Sequence, residues 1–374
     1  MESLKINLRK SGIELLAKAV INEAHRLRDK PEVDSDTISM VSKLVCQVAY
    51  LENLYTKKLV PDTNLDSFYH IAFDLIDKWK DYFKGNLASY SLVAMALHRS
   101  RYYHKLLLID MAIELSKANP KPASKYSSSP NSISFEQFTT LVHCLATHAS
   151  VLDEEPDLRT LLLDTIHTFM AKQHTAQMVG KLRVKYMCQL AWSLCVIFPR
   201  ESLPNLMTQL IQPIEEEFEQ GVGDIFALIQ IAYCMEYMKG VWAPPTNFGA
   251  KVVTKCKQIF ELEIKKSSLS TFEVVDVLNE LGIVSITEKP VELLDVDIIL
   301  PGAPGMIQLC IDVHGYQHYA RNCEKPLGGS ILKEKILLKA EYKYLQIPLS
   351  LWKILNKEQR KEYLSDAIKE LTSN

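Results

Sequence analysis

Between Leu4 and about Gly282, apolar side chains recur at the i, i+3, i+4 spacing that gives an α-helix one dry face and one wet face. Val184, Met187, Cys188, Ala191, Leu194, Cys195 and Phe198 form one such stripe, and Pro199 ends it. Leu158, Leu161, Leu162, Thr165 and Phe169 form another behind the breaker Pro156. The pattern predicts helices over roughly 4–29, 36–59, 64–84, 86–118, 133–151, 157–178, 181–198, 202–219, 223–239, 246–266 and 270–281, with Asp224 as an N-cap. Apolar first helices begin near Val41, Leu87, Phe135, Leu182 and Ile225. A recurrence on the order of 40–50 residues is the range of two-helix solenoid repeats. No fixed consensus accompanies it, so an irregular all-α domain is the alternative. The Pro/Ser-rich connector 119–134 is expected to be a mobile loop, and Gly282–Glu292 reads as a hinge.

From Asp295 the period changes from 3.6 to 2. Asp295–Leu300 and Met306–Val313 read as strands around the turn-forming run Pro301–Gly305. Ile307, Leu309, Ile311 and Val313 share one face of the second strand, leaving Gln308, Cys310 and Asp312 on the other. A helix, a further strand and a last helix follow, in which Tyr344 and Trp352 take apolar positions and belong to a core. The second strand runs into His314-Gly-Tyr-Gln-His-Tyr319, a polar and aromatic loop held at a strand end, where binding residues often collect.

This last quarter resembles the RAP domain, a module of organellar RNA-binding proteins that is abundant in apicomplexan parasites and algae and present in FAST kinase-like mitochondrial proteins. The likeness is carried by the Asp297 strand, Ile311-Asp-Val-His-Gly-Tyr-Gln-His-Tyr319, Gly329-Ser-Ile-Leu-Lys-Glu-Lys-Ile-Leu337, and Tyr342-Lys-Tyr-Leu-Gln-Ile-Pro348 with Trp352. Glu341 stands where the family usually has Gly before an aromatic. The expected architecture is mainly α, with an α-helical array of paired helices over 1–282. A small α/β RAP domain of restriction-endonuclease-like fold would occupy 283–374.

The resemblance implies three uses for one set of residues. Nuclease sites of that fold place an acid on one strand and acid-x-Lys on the next, so that two carboxylates bind Mg²⁺ and the lysine orients water. Asp297 and Asp312 fill the acidic positions, with His314 where the lysine is expected and Lys333 and Lys335 close behind on the next helix. In a second use the fold only holds RNA. Tyr316, His318 and Tyr319 then offer planes for unpaired bases beside Gln317, while Arg321, Lys325, Lys333 and Lys335 meet phosphates. In a third use the module docks protein, and backbone donors satisfy Asp312. RNA holding is the favoured reading, without a catalytic residue, metal or other cofactor; Mg²⁺ enters only with the nuclease.

Composition narrows the partners. The net charge is −2, and the chain from Ile286 onward carries twelve basic and twelve acidic side chains, so no global positive field supplies phosphate affinity. That favours a component seated among neighbouring proteins of a ribonucleoprotein, holding organellar RNA such as mitochondrial ribosomal RNA. The first thirty residues include Glu2, Glu14, Glu23 and Asp29, unlike an acid-poor transit peptide, so the mitochondrial assignment rests on the resemblance. Eight cysteines without a C-x-x-C pair read as reduced thiols in a non-secretory compartment. The longest uncharged apolar stretch, Tyr186–Pro199, is too short to span a bilayer, so no membrane partner is expected. His143, Cys144 and His148 sit poorly on one helix face, and His167 and His174 lack acidic or thiol partners, so satisfied histidines are expected instead of a zinc site. Glycine-rich phosphate loops and kinase motifs are absent from the sequence, which excludes kinase chemistry.

Overall fold

The computed structural model describes residues 35–56, 63–120, 132–172, 181–220, 225–262, 268–302 and 308–373, with parts of 12–26. Most of the predicted first helix, most of the 119–134 connector, Asp224, His174 and the turn with Met306 and Ile307 lie outside the described residues. The chain is mainly helical, with a small α/β region near its C-terminus. Its compact units divide it differently from the expected 1–282 and 283–374. One unit is Met1–Phe198 with Tyr319–Gly328, and the other is Pro199–His318 with Gly329–Asn374.

In the first unit the helices are α1 (Ser35–Thr56), α2 (Thr63–Lys78), α3 (Leu87–Ser100), α4 (Lys105–Leu115), α5 (Phe135–Thr147), α6 (Ser150–Glu154), α7 (Pro156–Lys172) and α8 (Lys181–Ile197). Helices α1, α3, α5 and α8 pack in a row, each on the next, while α4 packs on α7. The members of the row start at Ser35, Leu87, Phe135 and Lys181, a recurrence of about 50 residues that is the signature of stacked helical pairs. Val45 and Ala49, Val93 and Ala94, Leu141 and Val142, and Leu190 and Ala191 are all fully buried along it. Phe138 and Phe169 stack with centroids 3.7 Å apart. Local chemistry sets the helix ends. Ser134 and Gln137 close a capping box on α5. The single helix predicted over 86–118 is two, because Arg101 turns left-handed (φ 56°) and the His104 side chain caps the next start.

A polar seam runs through the row. His98 Nδ1 donates to Thr147 Oγ1 at 2.8 Å, and His143 Nδ1 donates to Ser193 Oγ at 3.1 Å. The donor sense follows because both hydroxyls give their own protons to backbone carbonyls one turn earlier. His148 Nε2 donates to the Leu97 carbonyl at 3.4 Å. Burial holds all three histidines neutral, pushing His98 and His148 down to about 4. Each keeps one ring nitrogen hydrogen-bonded within the row.

The segment Tyr319–Gly328 belongs to this helical unit. Arg321 inserts between Glu52 (2.5 Å) and Asp66 and lies over the Tyr69 ring at 5.0 Å, its side chain only 2% exposed. Tyr69 donates to Glu52 at 2.7 Å; burial and the Glu52 charge keep that phenol protonated. Asn322 forms a two-way clasp with the backbone of Tyr103, and Lys325 meets Glu154 and the Tyr103 ring. At Gly328 a Cβ would run into the Ala146 carbonyl and the Trp192 ring, so the close approach requires glycine.

The second unit has helices α9 (Pro204–Glu219), α10 (Ile225–Met238), α11 (Phe248–Leu262) and α12 (Leu269–Glu280) before the sheet. Strands β1 (Ile286–Val291), β2 (Leu294–Leu300), β3 (Leu309–His314) and β4 (Lys343–Pro348) form it in that order, antiparallel except for the parallel pair β3 and β4. Helix α13 (Gly328–Lys339) makes the crossover between β3 and β4; α14 (Leu349–Ile354) and α15 (Lys357–Ser373) follow. Strand β1 was not expected, because Thr287, Glu288, Lys289 and Pro290 lack alternation and read as hinge; as an edge strand it needs one partner only. One sheet face carries Ile298, Leu300, Leu309, Ile311, Val313, Leu345 and Ile347 into a core with α12, α14 and α15, centred on Trp352. The other face carries Asp297, Asp312, His314 and Tyr344 beside the buried Ile299 and Cys310. Among the described residues, no helix is long and apolar enough to cross a membrane.

Candidate functional site: the polar face of the sheet

Period-two alternation that sends Leu309, Ile311 and Val313 into the core sends Cys310, Asp312 and His314 the other way. The register Ile298 with Ile311 sets Asp297 across from Asp312 on the adjacent strand. There the backbone ladder gives way to side chains. Asp312 Oδ1 accepts from the Asp297 N–H at 3.0 Å, and Asp297 Oδ2 accepts from the Val313 N–H at 2.8 Å. Asp312 Oδ2 accepts from the Tyr344 hydroxyl at 2.6 Å and pairs with the Lys333 ammonium, which also donates to the Asp295 carbonyl. His314 Nε2 lies 3.1 Å from the Tyr344 oxygen; since that hydroxyl gives its proton to Asp312, His314 is the donor.

The electrostatics follow from this geometry. Burial pushes Asp312 up, but the His314 ring 3.9 Å away, the Lys333 charge, and hydrogen bonds from Lys333 and Tyr344 outweigh it, holding the carboxyl well below the usual range. Asp297 moves the other way, raised by burial and by the Asp312 charge. Burial also raises Glu334, which accepts from Gln346 at 3.2 Å.

Asp297, Asp312, His314, Lys333 and Tyr344 therefore come together as one network. They do not fit a magnesium ion. Such an ion needs open carboxylate lone pairs, whereas each Asp312 oxygen already accepts from one internal donor and the Lys333 ammonium sits against Oδ2 where a metal would bind. Among the described residues, no group of three or more His, Cys, Asp and Glu side chains is placed to hold a metal.

The expected RNA contacts separate. Tyr316 is 41% exposed and Gln317 is exposed beside it, at the open end of β3. His318 stacks on His314 (centroids 4.2 Å, planes 13° apart), with Ser330 Oγ 3.2 Å from its Nδ1. Tyr319 pairs with Pro326 in an isolated bridge. The basic residues differ from expectation. Arg321 and Lys325 are ion-paired within the helical unit, Lys333 holds Asp312, and Lys335 lies over the Tyr237 ring at 5.7 Å. Apolar spacing predicts Tyr344 in the core; it is buried, but its hydroxyl is a member of the network, a role that its place on the same sheet face as Asp312 of the neighbouring parallel strand suggests.

With this geometry, residues 311–367 match the RAP domain model. The chain carries a RAP domain. The match opens inside β3 and ends in α15, so Asp297 and the first two strands precede it. RAP domains are in general RNA-binding modules. No curated protein matches the chain.

Proposed function

We propose that this RAP-domain protein holds RNA without cutting it, in the mitochondrion, as a component of a ribonucleoprotein whose RNA is ribosomal. The RAP match supports the RNA. The saturated Asp312 carboxylate supports holding over cleavage, since a hydrolytic metal finds no ligand there. Near-neutral charge and internally paired cations leave little phosphate attraction, which favours affinity built jointly with neighbouring proteins. The side chains offered to bases are Tyr316 and Gln317 at the end of β3.

Ultraviolet crosslinking in mitochondrial extract, mapped to single nucleotides, tests this reading. Fixed positions within ribosomal RNA are expected. Crosslinks at transcript ends would redirect the function to processing, and Mg²⁺-dependent cleavage abolished by Asp312→Asn would establish an endoribonuclease. Absence of RNA from the crosslinked protein, or of the protein from mitochondria, would overturn the proposal.

A further inference from the structure

We propose that the Lys333 ammonium is a built-in substitute for a divalent cation, seated between β2 and β3 beyond the end of their backbone ladder and closing that seat to metals. A cation seat needs an anionic oxygen and a neutral oxygen aimed at one point. Asp312 Oδ2 from β3 and the Asp295 carbonyl from β2 both meet Lys333 Nζ, which arrives from α13. The Tyr344 hydroxyl and the Asp297 N–H orient the carboxylate around it, at 2.6 and 3.0 Å. The Asp312 side chain is only 3% exposed, so its charge requires a partner, and Lys333 supplies one that chelation cannot remove. A lysine two residues after Asp312 would orient water on a metal; a lysine reaching in from the next helix fills the metal's place. The inference concerns the interior of the sheet unit and stands whether or not RNA is the partner.

Mn²⁺, which favours carboxylate and carbonyl oxygens, is the probe, titrated into the full-length chain and read by the loss of its free-ion magnetic resonance signal. The wild type is expected to show no uptake that depends on Asp312. Lys333→Ala is expected to take up one equivalent, to lose it when Asp312→Asn is added, and to gain thermal stability from Mn²⁺ that the wild type does not gain. If Lys333→Ala is unfolded without metal, Mn²⁺ is expected to restore its cooperative transition. Independently, Lys333→Met/Asp312→Asn should melt above Asp312→Asn alone, because the single change strands an ammonium. Asp312-dependent Mn²⁺ uptake by the wild type overturns the proposal. So does a folded Lys333→Ala chain without uptake, one that stays unfolded in excess Mn²⁺, or a double variant melting no higher than Asp312→Asn.

Discussion

Arg321 separates a structural cation from an RNA contact. Replacing it with Met keeps the apolar stem and removes the guanidinium. Asp66 is 42% exposed, so its share of the pair is at most about 1 kcal/mol. Glu52 is different: its side chain is 6% exposed, and it would lose the guanidinium while keeping the Tyr69 hydroxyl as a donor. Removing the cationic partner of a buried charge costs about 3–5 kcal/mol, and losing the cation over the Tyr69 ring adds roughly 1 kcal/mol. Arg321→Met should therefore destabilise the helical unit by about 4 kcal/mol, and adding Glu52→Gln should recover much of the loss. Urea unfolding followed by helical circular dichroism gives the magnitude, and hydrogen exchange across Ser35–Thr56 assigns it to this unit. A variant that unfolds like the wild type but binds RNA more weakly, with a salt slope reduced by about 1, would refute the reasoning and return Arg321 to the phosphates.

Three further outcomes follow from particular residues. Glu341 adopts φ 64°, so Glu341→Gly should raise stability by about 1 kcal/mol, measured by chemical denaturation. Gly328→Ala should lower it by about 1–3 kcal/mol by the same assay, since the added methyl meets backbone that cannot rotate away. His98 and His148 are pushed down to about 4, so the unfolded chain binds their protons first as pH falls. The stability they contribute is complete above about pH 6.5 and declines toward pH 4, by about 2 kcal/mol each at pH 5. Stability measured from pH 7 to 5 should fall with this slope and flatten in His98→Gln/His148→Gln; an unchanged slope would show that these histidines do not set it.

Much of the architecture was legible because it rests on period. The stripe Val184 to Phe198 and the alternation Leu309, Ile311, Val313 placed a helix and a strand with their inward faces. The Asp297 and Asp312 pairing followed from strand adjacency. Three things were not legible. The break at Arg101 depends on a single left-handed residue of a type that usually continues a helix. Strand β1 is an edge whose polar, proline-containing sequence carries no alternation. The fates of Arg321 and Lys325 depend on Glu52, Asp66 and Glu154, between 171 and 269 residues away in sequence, and a solvated cation looks the same in one dimension as a buried one. The Glu341 departure from the usual glycine was visible, and its left-handed backbone gives the reason for that glycine.

Because Tyr319–Gly328 belongs to the helical unit, that unit is discontinuous along the chain, with a bearing on synthesis. A ribosome releases Glu52, Asp66, Tyr103 and Ala146 long before the segment that completes them. At about 5–20 residues per second, the intervening stretch from Phe198 takes on the order of 6–25 s to emerge. Throughout that interval the nascent helices carry an acidic slot without its arginine and an unfilled place for Gly328. The first unit thus cannot finish folding before the second is largely translated, and a fragment ending near residue 282 would leave the ribosome with both vacancies permanent.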